Sequence, residues 1–100
     1  MTGAAPGRIG AVDYGRKRIG LAVCDPTGIA VRGLATIASG GAPPDAVAAV
    51  ANALREAGVV RVVVGLPLHD DGRESETSKR ARAFGAALAK ALAVEVVFHD

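Results

Sequence analysis

Four aspartates stand at positions where their side chains could hold a divalent metal ion. Each follows a segment rich in β-branched residues, where a strand is predicted to end; they are Asp13, Asp70, Asp71 and Asp100. Carboxylate oxygens are the ligands that Mg²⁺ and Mn²⁺ prefer. Two such ions can clamp the attacking and leaving oxygens of a phosphodiester. The pattern therefore predicts metal-assisted phosphodiester chemistry, provided that the fold brings these strand ends together.

Asp13 precedes a short polar turn, Tyr14-Gly15-Arg16-Lys17, between two apolar segments. The stretch predicts a strand, a turn and a second strand, in which Gly15 supplies a positive φ. A carboxylate at a strand end beside a glycine fits a metal or phosphate site. The alternative is that Asp13 only hydrogen-bonds its own turn. Asp70 and Asp71 have a similar alternative, in which they shape a loop and Asp71-Gly72 forms a turn.

Basic residues lie close to these acidic positions along the chain. Lys17 and Arg18 could hold a phosphate next to the metal, and a second group could contact a nucleic-acid backbone without reading sequence. That second group contains Arg73, Lys79, Arg80 and Arg82. The alternative is an ordinary solvated surface, and His69 is interpreted as a plain loop histidine. The formal charge of +2 is only a weak indication of a polyanionic partner.

The element order is predicted as β-β-β-α-β-α-β, with residues 1–7 a loose leader and residues 8–100 one domain. Apolar residues at helical spacing mark two helices, from about Pro44 to Gly58 and from Glu74 to Leu92. The strands are predicted at 9–12, 19–23, 29–37, 59–64 and 94–98.

Three antiparallel strands followed by right-handed crossovers predict an α/β protein with a mixed five-stranded sheet and helices on its faces. The nearly unbroken run Val59–Val64 is typical of a strand buried on both faces. If the fourth and fifth strands run parallel to the first, their carboxyl ends meet at one edge, where ligands of open α/β sheets bind. Asp13 and Asp100 would then share that edge.

Composition excludes several classes of protein. The single cysteine, Cys24, rules out an intramolecular disulfide and a cysteine-based zinc site. The first residues lack the apolar stretch of a signal peptide, and no segment is long enough to span a membrane. A soluble, cytoplasmic protein is expected.

The motifs VDYG, KRIG, VVVGLPLHDDG and ESETSKRARAF resemble those of the YqgF/RuvX family, over nearly the whole chain from Ile9 to Asp100. Members of this family are described as pre-16S rRNA nucleases and as Holliday-junction-resolvase-like proteins. The resemblance implies an RNase H-like fold and hydrolysis of phosphodiesters with Mg²⁺ or Mn²⁺, in processing the 5′ end of pre-16S ribosomal RNA. It places Asp13 on the family's catalytic aspartate of the first strand. Asp100 matches the aspartate that opens its Asp-Glu-Arg segment.

The sequence departs from the family pattern after Asp100, where the Glu, the Arg and a C-terminal helical part do not follow. It is therefore interpreted as a shortened copy, whose activity at this length is left open. Three alternatives remain: a Holliday-junction-type DNA resolvase, a non-catalytic nucleic-acid-binding domain, and an ATP-binding module of the same core. A homodimer is also left open.

Overall fold

The computed structural model describes residues 7–25, 31–34, 36–38, 43–66 and 76–99. Its elements are β1 (Arg8–Tyr14), β2 (Arg18–Cys24), β3 (Val31–Gly33), β4 (Ile37–Ala38), α1 (Pro43–Glu56), β5 (Val59–Gly65), α2 (Glu76–Leu92) and β6 (Glu95–His99).

The predicted third strand is two short strands, so the sheet has six strands where five were predicted. Both β3 and β4 pair antiparallel with β2. Ala22 pairs with Gly33 while Ile19 pairs with Ile37, so three steps along β2 correspond to four along its partner. One extra residue in the partner interrupts the ladder, as at a β-bulge.

The sheet order is β3-β2-β1-β5-β6, with β4 beside β2. β1 is antiparallel to β2 but parallel to β5, and β5 is parallel to β6. Parallel neighbours need a crossover, and α1 and α2 supply the two crossovers. The predicted mixed α/β architecture is confirmed, with β1 at the centre of the sheet.

The prediction of helices packed on the sheet is confirmed, and both helices lie on the same face. Leu54 of α1 lies against Gly10, and the Phe84 ring of α2 packs tilted against Tyr14 at 5.2 Å between ring centroids. Gly10 and Tyr14 point to the same side of β1 because side chains alternate along a strand. The core between helices and sheet is aliphatic, as expected; its most deeply buried members include Ile19, Val50, Leu54, Val62, Val64 and Leu88.

The Val59–Val64 run is buried on one face only, and a bulge in β5 interrupts its alternation. Arg8 pairs with Val59 and Ile9 pairs with Arg61, so Val60 is an extra residue; it is 54% exposed. The bulge shifts the alternation and lets both Val59 and Val62 face the helices. Val63 consequently lies on the opposite face, which no described helix covers. That face, with Ala11, Ala22, Val63 and Val97, is called the open face below.

The two helices end in left-handed residues. Gly58 follows α1 with φ of 74°, the C′ position that its glycine predicts, whereas Ala93 follows α2 with φ of 57°. Within α2, Gly85 allows a close approach to β6, because a Cβ there would lie 2.6 Å from the ring of Phe98. Neither helix is long and apolar enough to cross a membrane in the part of the chain that the structure describes.

Candidate active site

Asp13 lies in a row of residues that crosses the sheet at the carboxyl ends of its parallel strands. It pairs with Gly20 of β2 on one side and with Gly65 of β5 on the other, and Gly65 pairs with His99 of β6. Registered partners point to the same face of a sheet, so the row Gly20–Asp13–Gly65–His99 faces one way. The end of β6 therefore meets the end of β1 at one edge, as the topology argument required.

The row borders a shallow depression of about 380 Å³ on the open face, lined by Asp13, Gly20, Gly65 and His99 among others. Two of the four positions in the row are glycines. A Cβ at Gly20 or Gly65 would come no closer than 3.8 Å to a described neighbouring atom. The depression is therefore open because side chains are missing on both sides of Asp13, and the backbone is not crowded there.

The Asp13 side chain is exposed and makes no hydrogen bond or ion pair with any described residue. The turn beside it is closed by the backbone, where Gly15 N–H donates to the carbonyl of Arg18 at 2.9 Å. The alternative in which Asp13 serves its own turn is therefore not seen in the described residues. Gly15 also differs from expectation: its φ is not positive, and glycine is required because a Cβ would lie 2.7 Å from the Arg18 carbonyl oxygen.

His99 is the residue in this row that sequence reasoning missed. Its signal was present in the alternation of β6, where Val96 and Phe98 are half-buried against the helices while Val97 and His99 are exposed. A strand that buries Phe98 must turn its neighbour His99 to the other face. That face is the one on which Asp13 lies.

The predicted basic residues Lys17, Arg18 and Arg80 come together in a cleft of about 850 Å³ between the β1–β2 turn and α2, which Gly15 and Arg16 also line. The cleft formed by these five residues is called the basic cleft below. No carboxylate lines it, and none of its four cations has a hydrogen bond or ion pair among the described residues. Four positive charges, with no carboxylate among the described lining residues, make the cleft attractive to a polyanion.

Other predicted positions fall elsewhere. Lys79 lies outside the basic cleft on α2, where its Nζ is 3.9 Å from a carboxylate oxygen of Glu76. Arg82 lies over the ring of Phe98 at 5.5 Å. The remaining candidates lie outside the described residues; they are His69, Asp70, Asp71, Arg73 and Asp100.

Asp13 suits a divalent ion, since it presents carboxylate oxygens at an exposed strand end. Among the described residues there is no cluster of three or more His, Cys, Asp or Glu side chains that could complete a site. The second predicted ligand, Asp100, is outside the described residues but directly follows His99 in the sequence. The donors named from the sequence are thus chemically suited to Mg²⁺ or Mn²⁺.

The architecture is that of the RNase H-like fold, which the solved structures confirm. The chain superimposes on Thermus thermophilus RuvC with a TM-score of 0.62 at 18% identity, covering 92% of this chain and 63% of that one. The same enzyme bound to a Holliday junction substrate gives a TM-score of 0.60.

The family model described as "RuvX: Holliday junction resolvase" matches residues 7–100, and the chain belongs to this family. A relative from Koribacter versatilis, named "Putative pre-16S rRNA nuclease", is 41% identical over 97 residues. Relatives of the same name from Pelotomaculum thermopropionicum and Anaeromyxobacter dehalogenans are 41% and 44% identical. The aligned part covers 97% of this chain but 63% of the Koribacter protein, so the chain spans under two thirds of that relative.

Proposed function

We propose that this protein is a metal-dependent nuclease that hydrolyses phosphodiesters in maturing the 5′ end of pre-16S ribosomal RNA, a cytoplasmic step of ribosome biogenesis. The observation that carries the proposal is the row Gly20–Asp13–Gly65–His99. It gives one exposed carboxylate at the end of the central strand, and it brings the end of β6 to the same edge. Family membership supports the choice of RNA, because relatives carry that substrate in their names.

In this proposal Asp13 and Asp100 hold Mg²⁺ or Mn²⁺ and are the catalytic residues. A bound ion of this kind neutralises charge on the phosphate and activates water. Asp13 contributes an exposed carboxylate, without a partner among the described residues, on a central strand, which is more rigid than a loop position. The flanking glycines leave a backbone surface that a nucleic-acid strand can approach closely.

The basic residues seat the substrate in this proposal. Lys17, Arg18 and Arg80 contact phosphates from the basic cleft. Arg73 and Lys79 are the further substrate-binding residues of the proposal. Such contacts position a backbone without selecting a sequence. A homodimer would double this surface, although nothing in the function requires it.

The test is cleavage of a precursor RNA that contains the 5′ end of 16S rRNA, with Mn²⁺ or Mg²⁺ added and then removed by chelation. Cleavage should require the ion and should be lost in Asp13→Asn, which keeps the size but removes the charge. Asp45→Asn is the matched control, because Asp45 is an exposed aspartate in the first turn of α1. Cleavage that survives Asp13→Asn would contradict the assignment.

A Holliday-junction-type resolvase is the second candidate, favoured by the description of the matching family model. A four-way DNA junction offered under identical conditions separates the two. Preferred cleavage of the junction over the precursor RNA would replace the RNA proposal with the DNA one.

A further inference from the structure

We propose that His99 is a substrate-contacting residue of this site, whose imidazole N–H donates a hydrogen bond to a phosphate of the nucleic-acid strand lying over Gly65. The inference rests on the proposed nuclease function and adds a residue and a binding position to it. It starts from the row in which Asp13, Gly65 and His99 are registered partners.

Within the depression on the open face, Asp13 and His99 are the only ionisable side chains among its described lining residues. Two strand spacings separate them, which is about 10 Å between Cα atoms. Nothing projects from the strand between them on that face, because the intervening position is Gly65. A phosphate group with its hydrogen-bonded contacts is of the size to fill that interval.

Close packing of the described residues does not account for a glycine at position 65. Among the described residues, a Cβ at this position would meet nothing closer than the Val12 carbonyl oxygen at 3.8 Å, and φ is not in the left-handed region. The described neighbours therefore leave room for a Cβ at this position, and in a strand valine is favoured over glycine. A side chain at this position would instead project into the depression and fill part of it. The glycine thus keeps space for a ligand against the backbone.

The His99 side chain has no other contact role among the described residues. Its side chain is exposed and makes no hydrogen bond or ion pair with a described residue, and its backbone carbonyl accepts from Leu66 N–H at 2.7 Å. The backbone bond fixes the strand end, so the side chain starts from a positioned Cα. An imidazole can donate from one nitrogen even when neutral, and it suits a phosphate oxygen.

The test is binding of a short, labelled single-stranded RNA to the full chain, followed by fluorescence anisotropy. His99→Ala should weaken binding about tenfold, the usual effect of losing a hydrogen bond to a charged group. His99→Gln, which keeps an N–H donor, should restore most of the affinity. Gly65→Val should weaken binding without lowering the thermal midpoint. Gly33→Val is its matched control, since Gly33 lies on the same face with open space around it.

A second readout reports contact directly. The chain has two histidines, so a His69→Gln background leaves His99 as the single source of imidazole proton resonances in NMR spectra. Adding the RNA should shift those resonances, and Gly65→Val should abolish the shift. RNA binding that is unchanged by His99→Ala would overturn the inference and leave the nuclease proposal standing. An unmodified chain that binds no RNA would instead refute the nuclease proposal itself.

Discussion

Removal of one cation from the basic cleft should change the salt dependence of nucleic-acid binding by a calculable amount. Each phosphate contact to single-stranded nucleic acid contributes about −0.7 to the slope of log K against log salt, and about −0.9 for a duplex. The cleft holds four cations, Arg16, Lys17, Arg18 and Arg80. If all four contact phosphates, the slope is about −2.8 to −3.6, and a fourfold rise in KCl weakens binding about 50- to 150-fold.

Arg80→Gln should reduce the steepness of that slope by one contact, about 0.7 to 0.9. The matched control is Arg61→Gln, which loses the same charge at a different place. Arg61 lies on the open face near the start of β5, at the end of the strand away from Asp13. Its Nε is 2.6 Å from Glu95 Oε1. Anisotropy titrations over a series of KCl concentrations give both slopes. Equal slopes for the two variants, or a flat response in the unmodified chain, would refute the basic cleft as a phosphate-binding surface.

Four further substitutions test the packing and the site. Ala93→Gly should raise the free energy of unfolding by about 0.5–1 kcal/mol, because it relieves a left-handed alanine, and Gly58→Ala should lower it by a similar amount; urea denaturation measures both. Gly85→Ala gains about 1 kcal/mol of helix propensity but must displace the Phe98 ring, at a cost of about 1–3 kcal/mol. It should therefore destabilise the natural chain yet become neutral or stabilising beside Phe98→Leu; no change between the two backgrounds would contradict the predicted clash. Asp13→Asn should change the free energy of unfolding by less than about 0.5 kcal/mol, since the carboxylate is exposed and has no partner among the described residues. A large decrease in that free energy would mean that Asp13 has a structural role.

The sheet order and the edge that carries Asp13 could be predicted from the sequence because both depend on the order of apolar segments. A strand, a helix and a strand in succession leave few connections that are right-handed and unknotted. Gly58 similarly predicted the end of α1, since a glycine after an apolar helical stripe is typical of a C′ residue.

The details that the sequence did not reveal depend on pairing between strands. Val60 is a bulge only because Ile9 pairs with Arg61, and no local property of the valine run distinguishes Val60 from its neighbours. The same dependence hid His99, whose face becomes known once Phe98 is placed against Gly85. The basic cleft joins a turn to a helix more than sixty positions away, a contact that spacing alone does not predict.

The alternation of β6 ties assembly of the proposed site to correct folding of the chain. Phe98 packs against α2 and His99 faces the row of Asp13, so a slip of one residue along β5 would exchange their faces. A misregistered chain would bury a histidine and expose a phenylalanine, and it would also lack the arrangement proposed for cleavage. In the proposed nuclease, the same packing that buries Phe98 therefore sets the position of His99 beside the row of Asp13.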